Sequence, residues 1–291
     1  MTHSYRGENL VKAVLVLAPL LAVPLAILTL NWAALAKASE LASIVLIIVL
    51  FSLSHLMRFA RLYVLLLERR ENVLKLGELY TRATLMNNIL PFKLGEVYKV
   101  LAYGNILNDL RKGLVLVWID RFFDTCILLI VIVPALLNGI NLQITFITLL
   151  FVTLSVLIFV SFSNTFLYFN RTVLTLSRSR RGVIYLRALD SAQEIYQFVL
   201  QLIKGRSMIL LVLSSLAWVF EYGMLVLVAR LIGQRFDYDS FVRYLDNAFT
   251  SVTADTLSFG LVIDFSILLL FILLIILVAG LGLSYLRRKH G

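Results

Sequence analysis

Asn87-Asn88-Ile89-Leu90-Pro91-Phe92-Lys93-Leu94-Gly95-Glu96-Val97-Tyr98-Lys99 interrupts, with polar residues and a Pro and Gly break, a sequence that otherwise reads as membrane. A charged side chain at the centre of a bilayer costs about 2.5–3.5 kcal/mol on insertion scales, and non-helical backbone at that depth persists only where protein or a watery cavity covers it. The stretch therefore reads as a site rather than a span.

Its surroundings fix the class. Of 291 residues, 60% are hydrophobic and 15% charged, the composition of an integral membrane protein. The net charge of +10 does not point to nucleic acid, because Lys and Arg cluster beside apolar runs, where they orient a membrane protein and attract anionic lipid heads. The single cysteine, Cys126, lies in an apolar run and permits neither an internal disulfide nor a thiolate metal site.

Apolar runs of about 20 residues cross a bilayer as helices. Such runs lie near Leu10 to Leu30, Leu41 to Leu67, Gly113 to Leu137, Asn141 to Phe169, Ser207 to Ile232 and Leu261 to Leu286. The expected fold is an all-α polytopic membrane protein of about six transmembrane helices. The first run follows a basic start and precedes Ala36-Lys37-Ala38, but it is longer than a signal-peptide core and is expected to stay uncleaved. Positive charges alternate from end to end as they must if both termini are cytoplasmic, with the densest cluster from Arg171 to Arg206. That places the protein in the inner, or cytoplasmic, membrane.

Two segments do not fit as crossings. Residues 77–108 begin and end on the cytoplasmic side and are expected to dip in and return about Pro91 and Gly95; residues 241–260 are their counterpart from the outer side. Paired broken elements of this kind place substrate sites in inverted-repeat transporters, although the two halves share no strong self-similarity here. The plainer alternative is a pair of surface-lying amphipathic helices. Residues 180–206 mix apolar and charged positions as a cytoplasmic interfacial helix does. The whole of 1–291 is read as one membrane domain.

The third run opens Trp118-Ile119-Asp120-Arg121-Phe122-Phe123-Asp124, which sets Asp120 beside Asp124 and Arg121 beside Asp124 on a helix. Two acids so close demand a cation from another helix. The second run offers His55, Arg58 and Arg61 at three-residue intervals; Arg61 has the alternative of reaching back to the interface. Arg58, Lys93, Lys99 and Arg121 form a candidate basic pocket for a lipid phosphate. Glu96 has the alternative of complementing a helix dipole, but that is worth about 0.3–1 kcal/mol, too little to offset a carboxylate at depth. Pairing with Arg121 or Arg58, or gripping a substrate amine, accounts for it better. Glu221, isolated in the fifth run, and Asp255 are candidate coupling residues, with Asp264 a weaker third.

Asn88, Leu90, Pro91, Lys93, Gly95, Glu96 and Lys99 resemble the Asn-x-x-x-Pro-x-Arg-x-Gly-Glu-x-x-Arg pattern of flippase-like transmembrane proteins related to the membrane region of lysylphosphatidylglycerol synthases, with Lys in both Arg places. Asp120, Arg121 and Asp124 resemble that family's acidic-Arg-x-x-Asp pattern about 25 residues on. The family's Pro-Gly-Gly-x-Gly stretch has no equivalent in Thr253 to Gly260, which keeps one glycine and no proline. The resemblance implies movement between leaflets of a polar-headed, phosphate-containing lipid, either an aminoacylated phospholipid or a glycolipid or polyprenyl-linked envelope precursor. Its synthases carry a soluble catalytic domain after the membrane part, so a chain stopping at Gly291 is expected to be no enzyme and to need no cofactor or metal. Partners expected are an anionic or zwitterionic membrane lipid and an envelope-biosynthesis enzyme. The alternatives are a non-transporting partner of such an enzyme, or an intramembrane lipid-modifying enzyme using Asp120 and Asp124 as a metal pair.

Overall fold

A computed structural model of the chain describes residues 41–69, 72–89, 94–137, 143–176, 180–231, 233–250 and 267–275, with residues 14 and 278 besides. Among these residues there is helix and no strand. The helices are α1 (Leu41–Leu65), α2 (Val73–Ile89), α3 (Leu94–Leu107), α4 (Leu110–Leu137), α5 (Gln143–Leu176), α6 (Arg180–Ile203), α7 (Ser207–Leu231) and α8 (Tyr238–Thr250), with a 3-10 turn at Leu67–Arg69 after α1.

Each start has a local cause. The carboxamide of Asn72 accepts from the Leu74 amide at 2.9 Å, the carboxylate of Asp109 from the Arg111 amide at 2.9 Å, and that of Asp237 from the Ser240 amide at 2.9 Å. These side chains satisfy amides that the first turns of α2, α4 and α8 leave without partners. Between α3 and α4 the chain turns in two residues, with Asn108 left-handed at φ 53° and the Asp109 amide closing onto the Gly104 carbonyl.

The frame is the pair α1 and α7. They run antiparallel in close contact along their length, as Ser54 Oγ donates to the Ala217 carbonyl at 3.0 Å and Arg206 donates to the Val64 carbonyl and, at 2.6 Å, to Glu68. These two helices are long and apolar enough to cross a bilayer, over Ala42–Leu65 and Ser207–Leu231. A third apolar stretch, Ile147–Phe162, is shorter. Helix α4 has 28 residues but carries Asp120, Arg121 and Asp124 in its middle. Of the six expected crossings, Leu10 to Leu30 lies outside the described residues, as does most of Leu261 to Leu286.

Helices α2 and α3 form a hairpin that begins and ends at the same end of the α1–α7 pair. The close approach is made at glycine: a Cβ on Gly95 would stand 2.1 Å from the Asn87 Cα, so nothing larger fits. The next contact, between α3 and α4, is built the same way, since a Cβ on Gly113 would lie 2.5 Å from the Gly104 nitrogen and 2.6 Å from the Val100 carbonyl oxygen. Where apolar surface faces lipid as readily as protein, such small-residue contacts hold helices together through close van der Waals packing. The residues between the two arms, 90–93, are not described.

At the far end of α4, Tyr238 Oη donates to the Val131 carbonyl at 2.7 Å, close to Pro134 inside the helix. This fixes α8, whose Phe241, Val242 and Leu245 are buried while Asp239 is exposed. The expected outer segment 241–260 thus begins as an amphipathic helix; its remainder lies outside the described residues. Helix α6 packs mainly on α5 and touches α4 through Arg111, which donates to Ser191 Oγ at 3.0 Å.

Candidate functional site

Helices α1, α2, α3, α4, α5, α7 and α8 surround a cavity of about 660 Å³. Its ionisable groups come from different helices and meet in pairs. Arg61, from α1, is 1% exposed and reaches into α4: Nη1 binds Asp124 Oδ1 and Ser214 Oγ, each at 2.5 Å, and Nη2 binds Asp120 Oδ1 at 2.5 Å and Asp124 Oδ2 at 3.0 Å. The planar guanidinium thus grips Asp124 by both oxygens, the geometry in which Arg and carboxylate bind best. It is the cation the two acids demanded.

One turn earlier on α1, Arg58 forms an ion pair with Glu221 of α7, and its guanidinium lies 5.4 Å from the Trp218 ring centre. Glu221 also accepts a hydrogen bond from Tyr244 of α8 at 3.3 Å. On α3, Glu96 holds Arg121 of α4 and, at 3.4 Å, Lys99, with both cations on Oε1. His55 and the Tyr80 hydroxyl are 3.0 Å apart. Ion pairs out of water compensate their desolvation only through this close, multiply bonded geometry.

The expected site residues thus meet as follows. Arg58, Asn88, Glu96, Lys99, Asp120, Arg121 and Asp124 all line the one cavity, and Glu221 lines it too. Lys93 and Asp255 lie outside the described residues, as does Asp264. Three readings resolve. Arg61 does not reach the interface and is the most enclosed cation of the group. Asp124 is occupied by Arg61, and Arg121 makes the expected pair with Glu96. Glu221 makes interhelical contacts, with Arg58 and Tyr244.

Nor are Arg58, Lys99 and Arg121 a free basic pocket. The described lining sets Arg58, Arg61, Lys99 and Arg121 against Glu96, Asp120, Asp124 and Glu221, four cations against four carboxylates. The place between Asp120 and Asp124 that a metal ion would take is filled by the Arg61 guanidinium. Sequence reasoning missed Trp218 and Tyr244 in the lining. A signal for Trp218 was present, three residues before Glu221 and so on its face of α7.

Among the described residues, three polar atoms of the lining side chains are buried with no hydrogen-bond partner: Glu96 Oε2, Arg61 Nε and Trp218 Nε1. Orphaned groups of this kind are rare in native interiors.

The family described as the lysylphosphatidylglycerol synthase TM region matches residues 9–246. The chain belongs to this family. The match spans the hairpin, the charged helix α4 and the α1–α7 frame, so the family's membrane region contains every described residue that lines the cavity. Membership together with the apolar helices makes this a membrane protein with a lipid-related role. No curated protein and no solved structure matches the chain.

Proposed function

We infer that the protein moves a polar-headed, phosphate-containing lipid between leaflets, the head passing through the cavity while the tails stay in hydrocarbon. The observation that carries this reading is the cavity itself: a space of about 660 Å³ inside an apolar bundle, ringed by ion pairs between helices. Burying so much charge without a polar occupant is expensive. Family membership supports a lipid as that occupant.

In this reading both termini are cytoplasmic and the membrane is the inner one. Arg111 to Val131 on α4 spans about 30 Å at 1.5 Å per residue, the thickness of a bilayer core. The α2–α3 hairpin enters from the cytoplasmic side, and rocking of this hairpin against the α1–α7 frame opens the cavity to either face. The chain acts as a transporter, not an enzyme, and its candidate cargoes are an aminoacylated phospholipid or a glycolipid or polyprenyl-linked precursor. Reconstituted in vesicles, the wild-type protein moves acyl-labelled lipid across the bilayer. Arg121→Ala, which strips Glu96 of its main partner, abolishes that movement at undiminished expression.

A second reading has its own support in the internal completeness of the ion pairs, which join α1, α3, α4 and α7. The constellation would then be structural, and the protein a membrane partner of an envelope-biosynthesis enzyme. Thermal stability measured beside transport separates the two: a structural role lowers both together, whereas a transport role lets Glu96→Gln lose movement while keeping its melting temperature.

A further inference from the structure

We propose that the α2–α3 hairpin carries a second binding site, for a phosphate group, in the groove between its open ends, with Lys75 and Arg82 of one arm supplying the charge and Asn105 and Asn108 on the other side the carboxamides. The site is separate from the central cavity and does not depend on lipid transport.

A cavity of about 300 Å³ lies there, where Lys75, Glu78, Leu79 and Arg82 of α2 meet Asn105 and Ile106 of α3 and Asn108 in the turn that follows. None of these residues lines the central cavity. Helical geometry explains the separation. At about 3.6 residues per turn, Tyr80, Thr84, Asn87 and Asn88 share the face of α2 that lines the central cavity, and Lys75, Glu78, Leu79 and Arg82 share the opposite face. Helix α3 repeats the pattern, with Glu96, Lys99 and Tyr103 on one side and Asn105 on the other. The hairpin is thus polar on both faces. The central cavity accounts for one, and in a membrane protein charged groups on the second need a polar neighbour of their own.

The second face is organised around one fixed cation. The arms approach so closely at Gly95 and Asn87 that a Cβ on the glycine has no room, and the cavity opens at their other end, beside the left-handed Asn108 at φ 53°. Side chains on a helix lean toward its N-terminus, so Arg82 reaches back to Glu78, which Nη1 meets at 3.3 Å, and it also donates a hydrogen bond to the buried Tyr98 of α3. These contacts hold the guanidinium across both arms and leave the side chain 23% exposed in the groove. Lys75 is exposed and carries no ion pair among the described residues.

The chemistry of the ligand follows. Two cations stand against one carboxylate, and Arg82 already engages it. What remains is a positive charge, an ammonium group with three donors and two carboxamides with two N–H each. A tetrahedral phosphate presents acceptor oxygens on several sides, so donors on both arms reach it at once, whereas the two oxygens of a carboxylate lie in one plane and serve fewer of them. Such a phosphate belongs either to a lipid head at the membrane surface or to a soluble phosphate compound.

The test uses the full-length protein in detergent with two probes, inorganic phosphate and short-chain phosphatidylglycerol. Equilibrium binding is measured beside a local readout, the rate at which a thiol reagent labels Asn105→Cys in a Cys126→Ser background, since a ligand in the groove shields that position. Shielding by phosphatidylglycerol alone assigns a lipid head, and shielding by inorganic phosphate as well assigns a soluble compound. Lys75→Gln is expected to weaken binding about tenfold, the scale of one charge-assisted contact, and to remove the shielding. Arg111→Ala, which removes an exposed charge outside the groove, is expected to change neither. No shielding by either probe, shielding that survives Lys75→Gln, or equal loss in Lys75→Gln and Arg111→Ala overturns the site. Folded Arg82→Gln protein must lose the shielding too; should it unfold for want of its hold on Glu78 and Tyr98, the exposed Lys75→Gln decides.

Discussion

At the scale of single residues, Arg61 is the least replaceable side chain described. It is buried, it binds two carboxylates and a serine hydroxyl, and its removal leaves Asp120 and Asp124 facing one another without their cation. Losing one partner of a buried pair costs about 3–5 kcal/mol. Arg61→Met is therefore expected to melt well below wild type in detergent, while Asp124→Asn combined with Arg61→Met recovers part of the loss because one carboxylate, Asp120, is left without its cation instead of two. A double mutant no better than the single one would show that the charges do not compensate each other. The exposed Arg111 gives the contrast. Its ion pair with Asp109 lies in solvent, where water and salt screen it, so Arg111→Ala should leave melting and lipid movement near wild type.

The sequence made part of this legible. The cost of charge in hydrocarbon already required partners for Asp120, Asp124 and Glu96, and it named α1 as the source of the cation. It did not tell Arg58 from Arg61. Three-residue spacing puts both near one face, but which acid each meets depends on the register between helices, and no periodicity within one helix reports that. Glu221 was hidden for the same reason: its partner Arg58 is 163 positions away.

At the scale of elements, the hairpin depends on its glycines. The break at Pro91 and Gly95 could be read from the sequence because Pro and Gly punctuate helices, and two arms followed from it. The reason for Gly95 could not, because it is a contact with Asn87 on the other arm rather than a turn requirement. Gly95→Ala must push α3 away from α2 and move Glu96 relative to Arg121. The expected result is loss of lipid movement comparable to Arg121→Ala, with a lowered melting temperature. Wild-type transport by a Gly95→Ala protein would mean that the hairpin tolerates separation and does not set the site.

At the scale of the whole molecule, the ends of α4 give the orientation a direct check. Arg111 and Asp239 are exposed at opposite ends of that helix, Asp239 beside the Tyr238 contact with Val131. In a Cys126→Ser background, a cysteine at position 111 is expected to react with an impermeant thiol reagent from the cytoplasmic side and one at 239 from the outer side. Labelling of both from one side would contradict the single crossing of α4 on which the cavity's depth rests. The overall class was plain from composition and from runs of about 20 apolar residues. The count of crossings is less directly read, since α4 carries Asp120, Arg121 and Asp124 in its middle, which dilutes the apolar signal by which spans are recognised.

The central claim is that the cavity receives a lipid head and passes it across the bilayer, and Glu96 is where that claim is most exposed. The decisive measurement is transbilayer movement of acyl-labelled phospholipid in vesicles containing wild-type or Glu96→Gln protein at equal, folded amounts. The account predicts movement by wild type and about a tenfold or greater loss in the variant, the effect of one charge-assisted contact. Equal rates in the two, both above protein-free vesicles, would place the lipid path elsewhere; no movement by either would contradict the account altogether.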